Sequence, residues 1–250
     1  MGELYEQLLR DMELALDRLA KRVPPPKWIR LFGDRFGFRY VERTAQQAII
    51  QKLARIITGL RAAHLLLRYG LIQEEAVIHR VLGDLIEDVL FLSYGILKND
   101  LTAKLHQSYL TDFYQEEFDN PESPLDSTQK RSPVPRRKIQ AYIARADLRI
   151  GNPSHNQRVF RTIHQAFSGF LHAASVQILD MYGGNPPHFH VRGMLGTPRM
   201  REYERDIWNY FERGMADFVI AAGVLGDLEL QQILFSKKQK FDAESQRIRT

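Results

Sequence analysis

The sequence predicts an all-α protein: a multi-helix bundle with several long helices and one long Pro/Ser-rich surface loop. Two observations carry that prediction. Apolar residues recur every three to four positions through most of the chain, the spacing that brings side chains to one face of a helix. No stretch keeps up the apolar–polar alternation of a half-buried strand, and no internal repeat is present.

The elements follow in order. Leu4, Leu8, Met12, Leu16 and Leu19 predict an amphipathic helix over 3–22, ended by Pro24-Pro25-Pro26 because proline lacks an N–H and disfavours helix in the residue before it. From Trp28 to Tyr40 the chain is aromatic and Arg-rich, and Gly33 and Gly37 punctuate it. It reads as an irregular arm pinned to the body by Trp28, Phe32, Phe36 and Phe38. A helix over about 41–69 has the stripe Ile49, Leu53, Ile56, Ile57, Leu60, His64 and Leu67, with Gly70 as a C-cap residue. The next, over about 74–97, is apolar around much of its circumference and belongs near the centre of the bundle; Arg80, Asp84, Glu87 and Asp88 form its polar strip.

A helix over 101–118 becomes acidic at its end. The segment 119–135, with three Ser and four Pro, predicts a surface loop. Basic KRSPVPRRK leads into a helix from Arg136 to about Arg149. One long helix is expected over 158–182, then a Gly/Pro loop, a helix over 199–222, a short helix near 227–235 and a frayed polar tail. The expected organisation is a single helical domain over 1–250: N-terminal helix and aromatic arm (1–40), helical core (41–118 and 136–235), loop (119–135) and tail (236–250). Helices 41–69, 74–97 and 158–182 should form the core, with Leu85 and Phe167 buried.

Composition narrows the function classes. The formal charge is +5, and 25 of the 35 basic residues are Arg, whose planar fork suits phosphate and carboxylate; an anionic partner fits, as does a helical surface covered by Arg stems. With no cysteine there is no disulfide, no thiolate metal site and no Cys nucleophile, which fits a reducing, cytoplasmic setting. The acidic, amphipathic start is no signal peptide, and FVIAAGVLG is too short to span a bilayer, so no membrane association is expected.

Five of the eight histidines fall between Gly151 and His190. At 100° per residue, Phe160, Ile163, Phe167, Phe170, Ala174, Ile178 and Met181 share one side of the 158–182 helix. Arg161, His164, Gln165, Ser168, His172 and Ser175 share another, a ladder of proton-transfer and hydrogen-bonding groups. Metal chemistry is poorly served: His188 and His190 have no carboxylate at a familiar spacing, and Glu75 and His79 do not match the Glu-x-x-His of di-iron bundles. No Gly-rich phosphate loop and no nucleophile elbow is present. Ser168 and His172, one helical turn apart, raise hydrolase chemistry, without an evident orienting acid. A better fit is metal-independent RNA cleavage, in which one group activates the ribose 2′-OH while a cation steadies the phosphate.

Two segments, EEAVIHRVLGDLIEDVLFLSYGI and VFRTIHQAFSGFLHAASVQILDMYGG, resemble two core helices of an uncharacterised bacterial helical family. There one helix carries an Arg followed by an acidic residue and the other a Ser-x-x-x-His, which here are Arg80, Glu87, Ser168 and His172. That family in turn is similar to the abortive-infection and HEPN helical proteins, some of which are ribonucleases with an Arg-x(4–6)-His motif. Arg158 and His164 have that spacing, as do Arg149 and His155, although Val159 stands where the motif usually has a polar residue. The resemblance, from Glu74 to Gly184, implies a homodimer without cofactor that binds or cleaves RNA or another phosphate ligand.

His164 and His172 lie two turns apart, about 12 Å along the axis, so they cannot act as an acid–base couple on one bond within a monomer. Cleavage would draw its second group from Arg158, Arg161 or a neighbouring subunit. Two other readings stay open: a non-catalytic interaction module in which Arg80, Glu87, Ser168 and His172 form a structural polar network, and a small-molecule hydrolase.

Overall fold

The computed structural model describes residues 1–146 and 153–249. Among these the all-α expectation holds: nine α-helices and two small two-stranded sheets. None of the described helices is long and apolar enough to cross a membrane.

Helix α1 (Gly2–Ala20) buries Tyr5, Leu8, Leu9, Met12, Ala15 and Leu19 along one stripe. The arm that follows is a β-hairpin of β1 (Lys27–Phe32) and β2 (Arg35–Arg39), not an irregular segment. Nor does it anchor as expected. Of the four expected anchors only Phe32 is half-buried, with Ile29 and Leu31; Trp28, Phe36 and Phe38 point to solvent. Apolar residues on both faces hide the alternation by which a strand is normally read.

Helix α2 (Ala45–Arg68) starts at a capping box, Thr44 accepting from the Gln47 N–H while the Gln47 side chain accepts from the Thr44 N–H. Gly70 (φ +69) ends it, and a Cβ there would lie 2.6 Å from the Leu195 backbone nitrogen. Helices α3 (Ile72–Leu97) and α4 (Lys104–Phe113) follow; α4 is shorter than the 101–118 expected. The 119–135 loop lies mostly at the surface, where Asp119 gathers it by accepting from Ser127 Oγ (2.5 Å) and Thr128 Oγ1 (2.9 Å).

Helix α5 is Arg136–Ala146 and α6 is Pro153–Leu171. The long helix expected over 158–182 breaks at His172-Ala173, where Ala173 takes φ +49, and a separate short helix, α7 (Ser175–Leu179), follows. A two-residue ribbon, β3 (Tyr182–Gly183) with β4 (His188–Phe189), precedes α8 (Met200–Val224). The last helix, α9 (Leu228–Arg249), runs straight through the expected short helix and frayed tail. Phe241 is buried, and Ser245, also buried, accepts from the Trp208 indole at 2.8 Å; these two anchors hold the otherwise polar end in place.

The core is built from α2, α3 and α8, with α1 and α9 packed on α8. Here α8 takes the place expected of the 158–182 helix, with Phe211, Met215 and Phe218 fully buried. Helix α6 packs mainly on α3 and α5 and reaches α8 through Phe167 beside Tyr210 and Phe170 beside Tyr203; Phe167 and, on α3, Leu85 are half-buried, and Val159 and Ile163 are exposed. Arg149 and the side chain of Phe160 lie outside the described residues.

Candidate functional site

The polar strip of α3 meets the start of α5 and the middle of α6. Arg80 pairs with Asp84 one turn on (2.5 Å). From α5, Arg136 donates to the Asp84 carboxylate (2.9 Å) and to its carbonyl (2.6 Å), bonds Asp88, and stands 3.6 Å from Glu87. Lys52 of α2 holds the far side of Asp88 at 2.7 Å, and Gln140 donates to Glu87 at 3.2 Å. Three cations thus face three carboxylates in a largely buried cluster, the arrangement in which buried charges are tolerable. Burial pushes the Glu87 carboxyl above the ordinary range, against the pull of Arg136 and Gln140.

His164 of α6 sits on this cluster, its Nε2 against the Arg80 guanidinium. A guanidinium only donates, so Nε2 accepts and the imidazole proton is placed on Nδ1. Burial lowers the basicity of His164, and the nearby Arg80 and Arg136 charges lower it further, partly offset by Asp84. The ring is therefore neutral near pH 7. Beneath it is a narrow pit lined by His79, Gly83, Phe167, Tyr210 and Arg213, with room for about one water. Fully buried His79 stacks on Tyr210 (4.0 Å between centroids), and its Nε2 lies 3.0 Å from buried Glu75 without hydrogen-bond alignment. Among the described residues no three His, Asp or Glu side chains converge to hold a metal ion.

On the outer side of His164 a groove of about 1300 Å³ runs between α5 and α6. Arg136, Arg137 and Gln140 line one wall; Gln157, Arg158, Arg161, His164, Gln165 and Ser168 line the other. Among the described residues no carboxylate lines it. Arg137, Arg158 and Arg161 are exposed, and among the described residues none of them is held in an ion pair. The α6 side is set by helical spacing: residues 158, 161, 165 and 168 recur every three to four positions and share one face.

The expected site residues therefore divide. Arg158, Arg161, His164 and Ser168 come together in the groove. Arg80 and Glu87 lie below it in the charge cluster, reached from the groove through His164 and Gln140. His172 stands apart: its side chain is exposed in the turn after α6, and it is tied to Ser168 through the backbone, N–H to carbonyl at 3.1 Å. Sequence reasoning missed Arg136 and Arg137, although the twin Arg opening an amphipathic helix was a usable signal. It also missed Lys52 and Gln140, which one helix's periodicity does not connect to another's.

The fold and site define a helical bundle with an arginine-lined groove above a buried charge cluster. No family model matches the chain, and no curated protein or solved structure does either.

Proposed function

We propose that this protein binds RNA, gripping the sugar–phosphate backbone in the groove between α5 and α6. The observation that carries the reading is the lining of that groove: among the described residues, Arg137, Arg158 and Arg161 without ion pairs, Arg136 at its floor, a neutral histidine and no carboxylate. Guanidinium forks match phosphate oxygens, and cations not already paired give up least when they bind them. Gln157, Gln165 and Ser168 add the neutral hydrogen-bonding groups that a ribose requires, and Nδ1–H of His164 is a further donor. Arg80 and Glu87 serve as scaffold in this reading, fixing α3, α5 and α6 in register beneath the groove.

The test is a titration of fluorescent single-stranded RNA with the wild type and with Arg158→Ala/Arg161→Ala. The double variant should bind about 10- to 100-fold more weakly, two charge-assisted contacts at about 1 kcal/mol or more each. Equal binding by both proteins overturns the reading, and no RNA binding by the wild type leaves the interaction module in its place.

An unprotonated His164 on the groove wall allows a second step, cleavage. Once it leaves Arg80, Nε2 takes the ribose 2′-OH proton, O2′ attacks phosphorus, and the P–O5′ bond breaks with a proton from water. The products are a 2′,3′-cyclic phosphate and a 5′-hydroxyl. On that reading His164→Ala still binds RNA and yields no cyclic phosphate; a cleaving His164→Ala excludes it.

A further inference from the structure

The outward face of the β1–β2 hairpin is aromatic where solvent should make it polar. Trp28 pairs across the ribbon with Phe38, and Arg30 with Phe36, so these four side chains share one face. The three rings are 61%, 62% and 50% exposed for Trp28, Phe38 and Phe36. They cannot simply be turned inward. The inner face already holds Ile29 and Leu31, and Leu31 lies so close over Gly37 that a Cβ there would come within 2.9 Å of it. Contiguous exposed aromatics of this kind mark an interaction surface.

Charge and shape say what it meets. Residues 27–39 carry Lys27, Arg30, Arg35 and Arg39 against Asp34; Glu116 holds Arg39 and Glu42 lies 3.6 Å from Lys27, which leaves Arg30 and Arg35, with Arg43 nearby, as the cations open to a partner. The Trp28 and Phe36 rings are within 12° of parallel, centroids 6.5 Å apart, and Phe38 stands at 66° to Trp28, 4.8 Å away, so the three rings form one exposed aromatic cluster. Past Phe38 the surface continues into a cleft of about 950 Å³ lined also by Tyr40, Tyr114 and Arg43, and Arg43 is exposed with no ion pair among the described residues. The rings occupy the flank of the ribbon; its tip is Gly33, Asp34 and Arg35, with fully exposed Asp34 a poor leading edge for a bilayer.

We propose that this face is a stacking platform for the unpaired bases of a single-stranded RNA, with Arg43 and the hairpin arginines along the strand's phosphates. Every base offers a π-face, so flat rings hold a strand with little regard to sequence, and nearby cations supply the backbone contacts.

Trp28 reports on the proposal directly, because the chain has only two tryptophans and the other, Trp208, is half-buried and bonded to Ser245. In Trp208→Phe the emission comes from Trp28 alone. Oligouridylate should quench it, duplex RNA should not, and Phe38→Ala should weaken single-strand binding about tenfold. Trp28→Ala should do the same and Trp28→Tyr should restore affinity, which separates stacking from a folding defect. Absence of quenching by oligouridylate overturns the proposal, as does a blue shift and rise of emission confined to phosphatidylserine vesicles, which would make this a membrane surface. The groove stands or falls separately: Arg158→Ala/Arg161→Ala should leave the quenching of Trp28 intact at saturating RNA.

Discussion

Replacing Arg136 with methionine tests the charge cluster beneath the groove. The change keeps much of the stem and removes a guanidinium that is only 21% exposed and faces Asp84, Glu87 and Asp88. Taking one partner from a buried ion pair costs about 3–5 kcal/mol, because the other charge is left without compensation. Here Lys52 still holds Asp88 at 2.7 Å and Arg80 still holds Asp84 at 2.5 Å, which brings the expected loss to about 2–3 kcal/mol near pH 8. Urea melts give that difference as a change in midpoint at constant slope. The loss should also shrink on acidification. Without Arg136 the Glu87 carboxyl, already raised by burial, binds a proton more readily in the folded state. The variant therefore gains on the wild type as pH falls from 8 to 5. A loss under 1 kcal/mol at pH 8, or one independent of pH, refutes the reasoning.

Two further predictions concern the core. Asp217 is fully buried with Oδ2 unpartnered, and burial pushes its carboxyl well above the usual range. A raised carboxyl contributes stability below its unfolded value of about 3.9 and loses it at up to about 1.4 kcal/mol per pH unit as pH rises toward the folded value. Asp217→Asn should therefore gain on the wild type in thermal melts between pH 5 and pH 8, and parallel curves would show that the proton is not held. Phe218→Ala, at a fully buried position of α8, should cost about 3–5 kcal/mol, and Leu85→Ala, half-buried, less than 2 kcal/mol. The reverse order in urea melts would contradict the burial of Phe218 and the half-burial of Leu85.

Much of the helical frame was legible because amphipathic periodicity states which residues share a face: α1 and α2 were marked by their buried stripes, and α3 by its apolar circumference. What was hidden had physical causes. The hairpin carries apolar residues on both faces, so its alternation vanished, although Gly33-Asp34 between two aromatic runs is turn chemistry. The end of α6 has no Gly at the left-handed position that closes it; Ala173 takes that conformation instead, and Gly169 lies inside the last turn. The end of α9 looked frayed because a lone Phe241 and a buried Ser245 do its anchoring. For the groove, the spacing of Arg158, Arg161, His164 and Ser168 put one wall on the page, whereas Arg136 and Arg137 joined it only through the packing of α5 on α6. His172, included by continuing the ladder past Leu171, fell off it when the helix stopped.

The claim that the α5–α6 groove grips RNA phosphates is tested most directly by the salt dependence of binding. Each phosphate contact on a single strand contributes about −0.7 to the slope of log K against log salt. Removing Arg158 and Arg161 together should flatten the wild-type slope by about 1.4. An unchanged slope in Arg158→Ala/Arg161→Ala, with RNA still bound, would place the phosphates elsewhere and contradict the account.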